Sequence, residues 1–131
     1  MKDQLYGHKQ RSTKDRQRIP YSVFIDPTLS HVGLTEAEAV KQGYNVKIAK
    51  WPAMAIPRAR ILKNTDGLLK AVIDADTDQL LGFTMFAMES SEVINIVSLF
   101  MNSGQPYTVL RDTIFTHPTM AESLNDILSQ V

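Results

Sequence analysis

Two apolar runs around a short polar gap constrain the fold of this 131-residue chain more than any other feature: LLKAVIDA (68–75) and LLGFTMFA (80–87) flank DTDQ. A gap of this length suits a hairpin loop, so the runs read as antiparallel neighbours. The second arm is apolar on both faces, with Phe83 and Met85 opposite Thr84 and Phe86. Such a strand is covered on both sides.

The remaining elements follow from local signals. YSVFI (21–25) is β-branched and aromatic and ends in the turn residues DPT, so it reads as a strand. Thr35 opens a short helix through Gln42: Thr35 and Glu38 form an S/T-x-x-E capping box, and Gly43 supplies the stop. YNVKIAKW (44–51) reads as another strand, with Val46 and Ile48 on one face and Lys47 on the other. Pro52 and Pro57 make the next stretch irregular. Ser90 or Ser91 caps a helix through Asn102, ended by Gly104 and Pro106. YTVLRDTI (107–114) reads as a short helix. A last helix runs from about Thr119 to Ser129 with Leu124, Ile127 and Leu128 inward. This order predicts an α+β fold, an antiparallel β-sheet flanked by α-helices.

Helix 90–102 carries Val93, Ile94, Ile96, Val97, Leu99, Phe100 and Met101, more than one stripe requires. A helix apolar around most of its girth is buried in a larger core or at an interface. Closed twofold pairing is the commonest solution, so the pattern predicts a homodimer with Phe100 and Met101 as contact residues.

The length suits one domain with a single core, placed at 20–131. Residues 1–19 read differently: MKDQLYG resembles the last turn of a helix closed by Gly7, followed by a polar linker. This segment holds six Lys or Arg against two Asp, a net +4, which leaves −4 on the remainder of a chain whose net charge is zero. With Tyr6 as its one aromatic residue, it reads as a solvated linker rather than a nucleic-acid-binding arm. No apolar run approaches the roughly 18 residues of a membrane span, and the start lacks the apolar stretch of a secretory signal. The absence of cysteine excludes disulfides, thiolate metal sites and thiol nucleophiles within this chain; it fits a cytoplasmic protein.

Chemistry concentrates at FTHPTMAES (115–123). Thr119 and Glu122 form a second capping-box pattern, and Pro118 fits the approach to a helix start. On that reading His117 is a loop residue of little consequence. The same spacing also brings His117 close to Glu122. A carboxylate bonded to one ring nitrogen fixes the tautomer of a histidine, and the pair can then accept and return a proton. Both readings stand on the local pattern, and the second lacks a nucleophile in this chain. His8 in the polar tail and His31 in a turn have no ligand spacing to His117, so the pattern predicts no metal site. Asp74, Asp76 and Asp78 lack the glycine and terminal glutamate of a calcium loop and read as a solvated hairpin tip. Trp51 reads as a strand-end packing residue, and the six methionines as core and interface filler.

PYSVFIDPTLSHVGLTEAEA (20–39), LLGFTMFAMESSEVINIVSLFMNSG (80–104) and HPTMAES (117–123) resemble, in this order, three segments of one family's C-terminal domain. The family is that of the flavin-dependent pyridine nucleotide–disulfide oxidoreductases, which includes glutathione reductase, dihydrolipoamide dehydrogenase and mercuric reductase. The resemblance covers 19–131, with 1–18 similar to the end of the preceding FAD domain. It implies a homodimerisation domain, with FAD and NAD(P)H as cofactors of the full-length protein. It also implies that His117 is the general acid/base for thiols of the partner subunit's redox disulfide, and that Glu122 orients it. The backbone at His117 and Pro118 would approach the partner's flavin, and the His-Pro bond is often cis. This chain departs from the full pattern by lacking the FAD domain, the NAD(P) domain and the redox cysteines. It therefore reads as an excised domain, not catalytic alone and with no cofactor expected on it. A module of the same fold that dimerises without catalysis is the alternative.

Overall fold

The computed structural model describes residues 18–131, so all but the last two residues of the expected linker (1–19) lie outside the described residues. Five strands form one antiparallel sheet in the order β1-β2-β5-β4-β3. They are β1 (Tyr21–Val23), β2 (Leu29–Gly33), β3 (Val46–Pro52), β4 (Leu68–Asp74) and β5 (Leu80–Phe86). The expected hairpin is β4–β5, and its doubly apolar arm β5 is the central strand. Phe83 and Met85 of β5 are buried beneath the helices, together with Leu69, Ala71 and Ile73 of β4.

The hairpin tip corrects the solvated row of acids. Asp74 is buried, and its carboxylate accepts from the Asp76 N–H (3.0 Å) and the Thr77 hydroxyl (2.7 Å). It therefore shapes the turn. Asp78 pairs with Lys47 at 3.0 Å.

β2 is an element that local patterning misses, and with it His31 moves from an expected turn into the sheet. His31 is paired with Tyr21 of β1 and Thr84 of β5. Nδ1 lies 2.7 Å from the Thr84 hydroxyl and Nε2 2.9 Å from the Gly33 carbonyl. With both nitrogens satisfied, this is a structural histidine.

Helix α1 (Glu36–Lys41) starts as expected. Glu38 N–H donates to Thr35 Oγ1 (3.2 Å) and Thr35 N–H to Glu38 Oε2 (3.1 Å). This helix covers one end of the outer sheet face through Ala39, against Val72 and Leu81. The stretch expected to be irregular contains a 3-10 turn (Ala53–Ala55) and then helix α2 (Pro57–Ile61). Pro57 stands in its first turn, where a missing N–H costs nothing.

Helix α3 (Ser90–Ser103) packs on β2 and β5 from the other face. Its start corrects the expected serine cap. Glu89, in the left-handed region, holds the cap position, while the Ser90 hydroxyl donates across to the Thr28 carbonyl at 2.8 Å. Ser90 Oγ also lies 2.9 Å from Ser30 Oγ, which in turn lies 2.7 Å from Ser22 Oγ. Gly104 closes the helix at φ 72°. Helices α4 (Tyr107–Arg111) and α5 (Ser123–Leu128) complete the layer. Leu124, Ile127 and Leu128 are buried as expected, but α5 begins four residues later than the capping-box pattern implies.

Candidate active-site pair

The segment that carries His117 is a loop between α4 and α5, tied at both ends. At its start, Tyr107 N–H donates to the Asp78 carbonyl at 2.8 Å, and Lys47 Nζ lies 5.0 Å from the centroid of the Tyr107 ring. These contacts fix α4 to the hairpin tip and to β3. At its end, α5 buries its apolar side against the sheet. Thr119 Oγ1 donates to the Thr116 carbonyl at 2.8 Å, folding the loop back on itself around a cis His117–Pro118 bond.

His117 Nδ1 lies 3.0 Å from Glu122 Oε1 and 2.9 Å from Oε2. A carboxylate accepts only, so the proton of the neutral ring resides on Nδ1. Glu122 Oε2 also accepts the Thr119 N–H at 3.0 Å. One carboxylate thus orients the histidine and satisfies a free backbone donor. The Glu122 half of the expected capping box is present. The Thr119 half is not: its hydroxyl donates to the Thr116 carbonyl, and α5 begins only at Ser123, so Thr119 is not the residue at its start.

Exposure divides the labour. The Glu122 side chain is 21% exposed and the His117 side chain 67%. Nε2 makes no hydrogen bond among the described residues, so it is open to a group outside the domain. Chemically, the pair can move a proton at Nε2 while the charge that appears on the ring is balanced through Nδ1. The described residues contain no cluster of three His, Asp or Glu able to hold a metal ion.

The expected dimer contacts separate. Met101 is 3% exposed and belongs to the intrachain core, where its side chain packs beside Gly33. Its side chain offers little surface to a second copy. Phe100 is partly buried and lines an open groove with Ile96, Leu99, Leu110, Thr113 and Phe115. Leu99 is 75% exposed on the rim, and Ile114 nearby in sequence is 96% exposed. Leu99 belongs to the apolar surplus expected of this helix, and Ile96, Leu99 and Ser103 follow helical i, i+3, i+7 spacing; Ile114 carries no such signal. Asn125 was passed over. No helix among the described residues is long and apolar enough to cross a membrane.

Residues 19–127 match the family model described as pyridine nucleotide-disulphide oxidoreductase, dimerisation domain. Over all 131 residues the chain is 49% identical to a probable pyridine nucleotide-disulfide oxidoreductase, RclA, of Escherichia coli, and spans 30% of that protein's length. A solved structure, described as the HOCl-induced flavoprotein disulfide reductase RclA from Escherichia coli, superposes with a TM-score of 0.94, covering 99% of this chain and 30% of the other. A dihydrolipoyl dehydrogenase of Thermus scotoductus is 42% identical over 107 residues, which is 82% of this chain and 23% of that protein. LpdA from Mycobacterium tuberculosis, 18% identical with a TM-score of 0.79 over 86% of this chain and 24% of its own, shares the fold.

Proposed function

The chain belongs to the pyridine nucleotide-disulphide oxidoreductase family as its dimerisation domain, and from that premise we propose that His117 and Glu122 are the acid/base pair that one subunit lends to the redox disulfide of its partner. The domain then acts within a longer polypeptide that carries the FAD and NAD(P) domains, consistent with relatives of which this chain spans 30% or less. Residues 20–131 are the dimerisation unit, preceded by the linker and the end of the FAD domain.

The observation that carries this reading is the geometry of the pair. A histidine held through Nδ1 by an anchored carboxylate, with Nε2 open, is equipped for proton transfer. The chain has no cysteine for it to serve. Both facts are accounted for when the thiols lie on the other subunit. His117 then takes a proton from a substrate thiol as it attacks, and returns it to the thiol that leaves; Glu122 balances the imidazolium between the two steps.

The residues of this domain do not fit a flavin by themselves. Gly33, Gly67 and Gly82 are spent on close backbone packing, where an added Cβ would meet the carbonyl oxygens of Leu81, Phe86 and Leu34. None opens a helix in the manner of a dinucleotide-binding turn. On this proposal, the backbone at His117 and Pro118 is the part of the domain that approaches the partner's flavin.

Dimerisation is assigned to the helical face. The groove beside Leu99 and Phe100, with Ile114 nearby in sequence, is an exposed apolar surface of the kind that twofold pairing buries.

Subunit mixing in the full-length protein tests the shared site. His117→Ala homodimers, and homodimers with the redox cysteines replaced, should each be nearly inactive in disulfide reduction. A mixed dimer joins the intact His117 of one chain to the intact cysteines of the other. Activity recovered on mixing supports the proposal, whereas full activity in the His117→Ala homodimer would reduce His117 to a loop residue.

A further inference from the structure

We infer that Asn125 is a positioning residue for His117, acting by closing the loop that presents the histidine. The Asn125 side-chain amide donates to three main-chain carbonyls at the end of α4 and just beyond it: Leu110 at 3.2 Å, Arg111 at 2.9 Å and Thr113 at 2.8 Å. An amide has two hydrogens, so one is shared between acceptors. Only Nδ2 can serve three carbonyls, which fixes the orientation of the side chain.

The placement of this amide gives it more than a capping role. Asn125 stands three residues after Glu122, and its backbone N–H donates to the Glu122 carbonyl at 3.0 Å. The residue that holds the imidazole and the residue that gathers the preceding loop therefore share one turn of chain. Between Thr113 and Glu122, the Thr119 hydroxyl takes the Thr116 carbonyl and Glu122 takes the Thr119 N–H. His117 sits in the middle of a loop closed at its base by Asn125. Without that closure, the 113–116 stretch is held by the Thr116–Thr119 and Glu122 contacts and by the packing of Phe115 on the core, with no hydrogen bond from α5 to its start. The imidazole would then sample more positions while its ion partner stayed in place.

This role rests on the proton-transfer function proposed for His117, so the test separates the two. In the full-length protein, Asn125→Asp keeps the shape but turns a donor toward three carbonyls into an acceptor. Asn125→Ala leaves the carbonyls to water and serves as a second variant where the first folds poorly. Histidine-selective labelling reads the rings directly by NMR, with buried His31 as the internal control of the fold. The expected result is a broadened or displaced His117 signal beside an unchanged His31 signal. With it, kcat should fall about 10- to 100-fold at nearly constant KM, the scale of a misplaced catalytic group. In a His117→Ala background, Asn125→Asp should cost nothing further in kcat. An unmoved His117 signal in both variants overturns the inference, even when thermal stability drops, because Asn125 is then only a cap for α4. A moved signal with wild-type kcat, in a protein that also tolerates His117→Ala, keeps the positioning and removes the proposed chemistry.

Discussion

Nδ1 of His117 lies within 3.0 Å of both carboxylate oxygens of Glu122, and one of those oxygens also holds the Thr119 N–H. Charge support and backbone support can therefore be separated by substitution. Glu122→Gln retains an oxygen for Thr119 but removes the charge opposite the imidazolium. Glu122→Ala removes both. In the full-length protein, His117→Ala should lower disulfide turnover by about 100- to 10,000-fold, and Glu122→Gln by less. Glu122→Ala should add a loss of about 1 kcal/mol in stability from the unmade hydrogen bond. Steady-state kinetics together with urea unfolding of the two Glu122 variants distinguish these effects; equal stability losses would contradict the double role.

Leu99 tests the dimer face. It is 75% exposed on a helix whose inner side fills the core, so substitution there leaves the domain interior alone. Leu99→Glu places a charge in an apolar contact and should convert a dimer to monomers at micromolar concentration. Sedimentation reads the mass, and a dimer of unchanged affinity would move the interface elsewhere.

Gly67 precedes β4 with φ 120°, and a Cβ added there would fall 1.7 Å from the Phe86 carbonyl oxygen. Neither strain nor overlap can relax without separating β4 from β5. Gly67→Ala should cost about 2 to 4 kcal/mol. Chemical denaturation gives the value; a loss below about 1 kcal/mol would mean that the strands adjust.

Asp126 supplies a pH dependence. Burial, followed by the negative charge of Glu122, raises its carboxyl above the ordinary 3.8. An acid raised on folding binds its proton more firmly in the native state. Its stabilising contribution is complete below the unfolded value and is lost as pH rises through the folded one. The cost of ionising this partly desolvated carboxylate falls on the native state as pH rises. Asp126→Asn should flatten this portion of the pH–stability profile and be the more stable protein at neutral pH. Urea midpoints measured from acid to neutral pH check the sign, and parallel profiles would rule out the contribution.

The site itself was half legible. The spacing of His117 and Glu122 raises a proton pair and a helix cap as alternatives; in the folded chain the Glu122 carboxylate contacts both His117 Nδ1 and the Thr119 N–H, while α5 itself starts only at Ser123. Asn125 was silent in sequence because its three acceptors lie 12 to 15 residues earlier. The burial of Met101 within the chain is not legible in the sequence, because helical periodicity ranks a residue as apolar without saying which layer receives it.

What the sequence alone determined is whatever depends on neighbours along the chain. The Thr35–Glu38 capping box, the β4–β5 hairpin and the glycine stop at Gly104 are closed by residues within a few positions, so their signals survive without a fold. The tertiary structure decided the rest. LSHVG becomes β2 only because β1 and β5 satisfy its two edges, and Ser90 gives its hydroxyl to Thr28, 62 residues earlier, instead of capping its own helix. A backbone group or hydroxyl accepts whichever partner folding brings within about 3 Å, and a partner far along the chain leaves no local pattern to read.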